Sequence, residues 1–452
     1  MDILLGEIKE AVKRFRQLPK KPIRIISQLD ADGISSAAIL IKALTREEFN
    51  FSVSFTRQLD YRILDEIKHE DYETFFFLDL GSAMLKDIEK RLKGKNIFVL
   101  DHHMHEDYKG DITNLNPSKR LRYEEVSAAG IVYLFAKEFN KINKDLGFLA
   151  IVGALGDNQE KGEFSGVNKK ILDETIENKE IFIKEGFYFL GSKEKAIYKA
   201  IQYCFDPYIP EVTGKEENAI RFLEELGINI KKENNFRKVS DLSEDELKKI
   251  ITAIILKRIG SEESENISRK CYCVKEIEGI EDLREFSTML NACARLNKTS
   301  LGVSLCLDKS KVKEEGLKVL EEYRSKLGKS LDWFYKNKEM FIEGKNYVII
   351  HAGNNINISL VGVVASIISH SNIYEKGKMV LIMAHDPVGE TKISGRVSGG
   401  EGPDIRSKLL KITKKVGDFV SGGHTLACGA VIPQDKEKEF IETAQKVLSE
   451  EE

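Results

Sequence analysis

Tryptophan occurs once in the 452-residue chain, proline eight times and cysteine six times. The cysteines are too few and too scattered for a disulfide framework, and Cys271 and Cys273 form a CxC with no second pair to complete a zinc site. Such usage fits a reducing cytosol. No apolar run reaches the ~18 residues of a membrane span. "SLVGVVASIIS" (359–369), among the longest, is broken by glycine and serine. The opening "MDILLGEIKEAVKRF" lacks the basic start, apolar middle and cleavage site of a secretory leader, and reads as an amphipathic helix. No membrane partner and a cytoplasmic location are therefore expected. Charge of one sign is also missing: a net −3 leaves 70 Lys and Arg to line a local basic groove.

What is present is a folded composition, 42% apolar and 32% charged, in a chain long enough for two or three domains. Abundant Lys, Glu and Ile lean toward a thermophile's usage. From residue 23, strands and helices alternate. "IRIISQL" (23–29), "FSVSF" (51–55), "TFFFLDL" (74–80) and "NIFVLD" (96–101) read as strands, separated by helical stretches such as "GISSAAILIKAL" (33–44) and "LDYRILDEIKH" (59–69). Short loops between them predict a mainly parallel sheet covered on both faces. After about residue 125 the pattern turns helical, and residues 160–290 are rich in Lys and Glu. The charged helical piece 309–341 reads as a connector. Alternation returns near residue 340 with "NYVIIHAG", "SLVGVVASIISH", "KMVLIMAHD", "TKISGRV" and "CGAVIP", which marks a second α/β domain.

Three segments bring acids to strand ends, where open α/β sheets place their ligands, and a fourth follows an apolar helix-like run. "QLDADG" supplies Asp30 and Asp32, and "FFFLD" supplies Asp79. "VLDHHMHE" packs Asp101, His102, His103 and His105 into five positions, and "GALGDN" adds Asp157. Each has a bland reading: Asp30 as a helix cap, Asp79 as a loop acid, His105 in solvent, Asp157 as a helix terminator. Together they point to a metal centre, because packed carboxylates repel unless a divalent cation lies between them. Mixed Asp and His ligands suit Mn²⁺, and purely oxygen sites suit Mg²⁺. Two ions about 3.5–4 Å apart activate a water and stabilise the leaving oxygen of a phosphoester.

"DADGISS" (30–36), "FLDLGS" (77–82), "VLDHH" (99–103) and "GALGDN" (153–158) resemble the four successive motifs of the DHH phosphoesterase superfamily. "SGGHTLACGA" (421–430) resembles the GGH loop of the companion DHHA1 domain, and "LNACARL" (290–296) is similar to the connector motif of the RecJ branch. Length and texture resemble archaeal RecJ-like nucleases. The resemblance implies a DHH catalytic domain over 1–190, a helical insertion and connector over 191–340, and a smaller α/β DHHA1 domain over 341–452. It implies Asp30, Asp32, Asp79, His102 and Asp157 as ligands of one or two Mn²⁺ (or Mg²⁺) ions, with Asp79 bridging. His103 would meet the scissile phosphate or a metal-bound water, and Asp101 would orient an imidazole. Many relatives carry a histidine shortly before the first DxD; here Gln28 stands near that place.

In the second lobe, Gly422, Gly423 and His424, with Lys392, Ser394 and Arg396 of "KISGRVS", are candidates for holding phosphate. Arg295 is the analogous candidate in the connector. Lys119, Arg120 and Arg122 form a basic loop after the DHH triplet, and Tyr61, Tyr123 and Phe286 are stacking candidates. The implied activity is a single-strand-specific exonuclease on DNA or RNA, in replication, repair or RNA processing, its strand held in a cleft between two lobes. A replisome or repair protein, such as a helicase, is the expected protein partner. Two rivals stand beside it. One is a phosphodiesterase or phosphatase for oligoribonucleotides, nucleoside bisphosphates or cyclic dinucleotides; the other is a non-catalytic replication scaffold.

Overall fold

The computed structural model describes residues 2–119, 125–160, 162–186, 195–205, 209–233, 235–257, 269–274, 281–371, 373–417, 419 and 421–450. The chain divides into two compact units, Met1–Tyr188 with Arg269–Glu321 and Phe189–Ser268 with Glu322–Glu452.

The first unit is built on five strands, β1 (Ile23–Gln28), β2 (Phe51–Thr56), β3 (Thr74–Leu78), β4 (Asn96–Leu100) and β5 (Thr113–Leu115). All pair in parallel, in the order β2-β1-β3-β4-β5. The helices are α1 (Asp2–Arg16), α2 (Ala31–Arg46), α3 (Tyr61–Ile67), α4 (Leu85–Arg91), α5 (Ala128–Phe139), α6 (Gly147–Gly156) and α7 (Gly166–Glu177). The runs "TFFFL" and "NIFVL" carry apolar side chains on both faces because helices cover both. On one face Phe75, Phe77, Ile97 and Val99 pack with Leu64 and Ile67 of α3 and Leu85 and Ile88 of α4. On the other, Phe76 and Phe98 stack at 4.8 Å, and Phe15 of α1 meets them edge-on at 5.4 and 5.7 Å. Each fully buried Phe contributes roughly 1.5–3 kcal/mol, so these rings anchor the sheet.

Register then sets the site. Ser27 pairs with Leu78, and Leu78 with Leu100, so the three central strands end level. Asp79 and Asp101 each lie one residue beyond that row, on neighbouring strands.

Beyond α7, Ile181–Gly186 pairs antiparallel with Arg269–Val274, and Gly186 faces Arg269. The intervening segment therefore leaves and re-enters the chain at one place. Its described helices are Ile197–Gln202, Glu216–Glu225 and Glu244–Lys257. Helices Leu283–Arg295 and Thr299–Leu307 return to the first unit, and a long helix runs from Lys309 to Lys336.

The C-terminal sheet is mixed. Its strands lie in the order Ile342–Glu343, Tyr347–Gly353, Met379–His385, Glu390–Val397, Ala427–Pro433, Ser421–His424; only Tyr347–Gly353 and Met379–His385 pair in parallel. One face buries Ile349, Leu381, Ile393 and Ile432 against Leu409 and Ile412 of helix Ile405–Val416 and Phe440 and Val447 of helix Glu437–Ser449. The glycine pair expected in a loop instead forms the edge strand Ser421–His424. No described helix is long and apolar enough to cross a membrane.

Candidate metal centre

Four of the expected ligands converge. One donor atom each from Asp32, Asp79, His102 and Asp157 lies within 4.8 Å of the other three. His102 Nε2 stands 3.0 Å from Asp157 Oδ2, 3.4 Å from Asp79 Oδ1 and 3.8 Å from Asp32 Oδ2.

Each residue is aimed by its own local structure. Asp79 takes a left-handed conformation, φ 61°, and its N–H donates to Leu100 O at 2.9 Å. A non-glycine residue adopts that shape at a cost of about 1 kcal/mol, and here it turns the carboxylate inward. Asp32 accepts from Ala128 N at 2.8 Å and Ala129 N at 2.9 Å, so the N-terminus of α5 fixes both its oxygens. Asp157 caps the C-terminus of α6. Gly153 of α6 lets the helix close in: a Cβ there would stand 2.2 Å from Asp32 Oδ1 and 2.6 Å from Ala129 Cβ. Gly153→Ala is accordingly expected to displace the Asp32 carboxylate and cost about 1–3 kcal/mol of stability. Calorimetry and metal titration of that variant check both parts.

Asp101 is a positioning residue. Its Oδ2 accepts from Ser82 N at 3.0 Å; its Oδ1 accepts from His102 N at 2.8 Å and lies 2.8 Å from His103 Nδ1. Burial alone would raise this carboxyl, but the bonds from His103 and the backbone bring it down to about 2. His103 is thus the imidazole that Asp101 orients. Its carbonyl accepts from Asn116 Nδ2 and Ser118 Oγ, both at 2.9 Å, which ties the DHH turn to the loop after β5.

The electrostatics of the cluster do not balance without a cation. Two like charges 4 Å apart repel by about 4 kcal/mol at an effective dielectric constant near 20. Burial, then the charge of Asp157, pushes Asp32 up to about 7. Burial, then Asp32 and Asp30, holds Asp79 well above the usual carboxylate range. For His102 burial opposes the charged ring, but the carboxylates of Asp157 and Asp79 outweigh it and raise its pKa. Asp79 is fully buried, yet neither of its oxygens accepts a hydrogen bond, and buried His102 Nε2 makes none despite its close carboxylates. Orphaned oxygens and an orphaned imidazole nitrogen sharing one point are what a divalent cation satisfies.

Residues 22–154 match the DHH family, N-terminal domain, residues 189–269 the DHH-CID domain, and residues 344–450 the DHHA1 domain. The chain is built of DHH, DHH-CID and DHHA1 domains. An uncharacterized protein of Methanocaldococcus jannaschii is 29% identical over 462 residues, covering 99% of each chain. The structure is similar to that of exonuclease RecJ bound to manganese, with a TM-score of 0.61 at 15% identity over 99% of this chain and 95% of that one. It is also similar to CDC45 from Entamoeba histolytica, with a TM-score of 0.68 at 12% identity over 99% and 98%. These likenesses establish a shared fold.

Asp30, expected among the DHH ligands, stands outside the group of four. Its Oδ1 caps α2 through Gly33 N at 2.9 Å, and its Oδ2 accepts from Gln28 Nε2 at 2.9 Å. The cap reading of Asp30 and its place in the acidic cluster both hold, since its charge still raises Asp79. His105 is half-buried rather than in solvent, with Nδ1 3.3 Å from Ser118 Oγ. Phe286, a stacking candidate, is fully buried in the core, and Tyr61 is exposed beside Arg91. Arg120, Arg122 and Tyr123 lie outside the described residues, as does the side chain of Lys119.

Several residues at the site were not among the expected ligands. Gln159 Nε2 lies 3.3 Å from His102 Nδ1, and Asn168 Nδ2 donates to Gln159 Oε1 at 2.6 Å, which sets the ring plane of His102. Asn291, in the "LNACARL" stretch, accepts from Ala31 N at 3.1 Å and so braces the first DHH motif from helix Leu283–Arg295. Arg295 lies half-buried on the same helix.

Within the DHHA1 domain the remaining candidates share a sheet face. Arg396 and His424 both pair with Ala427, from either side of strand Ala427–Pro433; Ser394 and Gly422 likewise both pair with Gly429. Directly paired residues present their side chains to one face. Arg396 donates to Ser366 Oγ at 3.0 Å, Ser394 Oγ at 3.2 Å and Gly395 O at 2.8 Å. Among the described residues no carboxylate pairs with it, and burial lowers its pKa. Gly423, φ 128°, accommodates a backbone approach that a Cβ would block at 2.4 Å from Ala427 O.

Proposed function

We propose that this protein is a metal-dependent phosphodiesterase that degrades single-stranded DNA or RNA from an end. The observation that carries the reading is the convergence of buried Asp32 and Asp79 with half-buried His102 and Asp157, and the unsatisfied atoms of Asp79 and His102. Three carboxylates and one imidazole suit Mn²⁺, with Mg²⁺ as the harder substitute; RecJ, similar in fold, has been solved with either ion. A bound ion would supply Lewis-acid stabilisation of charge on the phosphate oxygens and a nucleophilic water at neutral pH.

The chain's own groups do the rest. Asp79, central among the acids, is assigned as the bridging ligand. Asp30 Oδ2, which accepts from Gln28, keeps a lone pair for a second ion, as the hydrogen-bonded oxygens of Asp32 do for the first. His103, half-exposed and held by Asp101, is assigned to donate to the scissile phosphate. Arg396, Ser394, Gly422, Gly423 and His424 are assigned to the strand's phosphates, and so is Arg295 of the first unit. Half-buried Arg396 has no carboxylate partner among the described residues, and a phosphodiester supplies that counter-charge. A replisome or repair protein is the assigned macromolecular partner, and the cytoplasm the assigned location.

Arg396→Ala and His424→Ala are expected to raise KM for strands more than they lower metal affinity. The salt dependence of strand binding should become shallower for Arg396→Ala by roughly one phosphate. Fluorescence anisotropy across a salt series checks this, and unchanged binding in both variants would move the substrate off this face. A catalytically silent scaffold, as the fold of CDC45 allows, needs no such ligand set; a time course with Mn²⁺ and labelled single strands separates the two readings.

A further inference from the structure

We propose that the C-terminal unit holds a second metal site, formed by His351, His385 and Glu437, that takes a borderline divalent cation of the zinc class. His351 and His385 lie at or near the ends of neighbouring parallel strands, and Glu437 opens the helix Glu437–Ser449. Donor atoms of the three lie within 4.8 Å of one another. His351 Nε2 is 2.8 Å from Glu437 Oε2, His385 Nε2 is 2.9 Å from Oε1, and the rings meet at 5.4 Å and 75°.

Local backbone aims these groups. The register between the two strands slips between His351 and Gly353, a bulge of the kind that redirects a side chain. Gly353 takes the left-handed φ of 53° at this irregularity, a conformation that favours glycine. The Thr391 hydroxyl donates to Glu437 Oε1 and so fixes the carboxylate from outside, as partners of metal ligands commonly do.

A His–Glu–His hydrogen-bonded trio accounts for only half of this. His351 Nε2 bonds Glu437 Oε2, but His385 Nε2 is buried and makes no hydrogen bond. It sits close to an oxygen already engaged by Thr391. The same signature, a buried imidazole nitrogen beside carboxylate oxygen without hydrogen-bond alignment, marks His102 in the first centre. A cation shared by the three donors accounts for both nitrogens. Two imidazoles and one carboxylate form the donor set that suits Zn²⁺ and leaves a fourth position for water. The carboxylate-rich first centre is harder, so the two sites are expected to select different ions. His351, with 39% of its side chain exposed, gives the ion its way in. Once bound, it ties two strands to the terminal helix.

The test uses Co²⁺, whose tetrahedral complexes absorb visible light far more strongly than octahedral ones. Full-length chelator-treated Asp79→Asn protein, weakened at the first centre, is expected to bind one equivalent of Co²⁺ with an intense visible band that Zn²⁺ abolishes. In the Asp79→Asn/His351→Gln variant the band and the equivalent should both disappear, with circular dichroism unchanged. Zn²⁺ should also raise the melting temperature of Asp79→Asn but not of Asp79→Asn/Glu437→Gln. Should Asp79→Asn fail to fold, wild type and His351→Gln are compared directly, and one equivalent fewer is expected in the variant. Equal stoichiometry and spectra with and without His351→Gln would overturn the proposal.

Discussion

Asp79→Ala is expected to lower Mn²⁺-dependent hydrolysis by about a thousandfold, while the metal-free variant melts close to wild type. Loss of a central ligand removes several kcal/mol of transition-state stabilisation, and about 4 kcal/mol is a thousandfold. Stability should move little because two effects oppose. Alanine pays about 1 kcal/mol for the left-handed φ of 61°, but a buried carboxyl beside Asp32 and Asp30 is gone. Asp79→Asn separates them: asparagine tolerates that conformation, so it should be the more stable variant and equally inactive. Retention of more than about a tenth of the wild-type rate in either would contradict the ligand assignment.

The metal-free protein should be more stable near pH 5 than near pH 8. Asp32 is raised to about 7 in the folded chain against 3.8 unfolded, so between those values the folded state binds more protons. Stability is therefore present below the unfolded pKa and lost as pH rises through the folded one, by ~1.4 kcal/mol for each pH unit that separates the two. Asp79 and His102, both raised, act in the same direction. Asp101, lowered to about 2, works the other way and costs stability only as pH falls from 3.8 toward 2. Saturating Mn²⁺ should flatten or invert the slope, because it binds the deprotonated carboxylates. Thermal melts across pH with chelator and with Mn²⁺ check this. The same downward slope in both would show that no ion binds at the cluster.

The strand ends bearing the acids were legible because β-rich apolar runs stop abruptly at aspartate, and neighbouring parallel strands that end level bring those stops together. Asp32, Asp79, His102 and Asp157 could be read from that logic and from the resemblance to known motifs. Asp30 illustrates its limit: the same residue satisfies cap chemistry and lies beside the acids, and only three-dimensional contacts show that its oxygens are already engaged. Gln159, Asn168 and Asn116 are single polar residues whose bonds span distant segments, so no local pattern marks them, while Asn291 sits in "LNACARL" and its bond to Ala31 spans 260 residues. β5 is a three-residue strand, "TNL", too short for a period-two signal. "SGGH" reads as a turn because glycine is depleted in strands; pairing with the strand at Ala427–Pro433 overrides that preference. The pair Ile181–Gly186 and Arg269–Val274 eluded the helical reading of residues 160–290 because its partners are far apart in sequence.

Substrate length tests the central claim most directly. Single strands of two, six and about twenty nucleotides, labelled at either end, are compared at equal Mn²⁺ with wild type and Asp79→Asn. A nuclease that grips several phosphates and stacks bases gains binding from each added nucleotide until its site is full. For such a nuclease kcat/KM is expected to rise over the first several nucleotides and then level off. Label should be released from one end only, blunt duplex should be cut poorly, and Asp79→Asn should be silent throughout. Fastest turnover of the dinucleotide, or no hydrolysis of any strand by wild type, would contradict the nuclease reading.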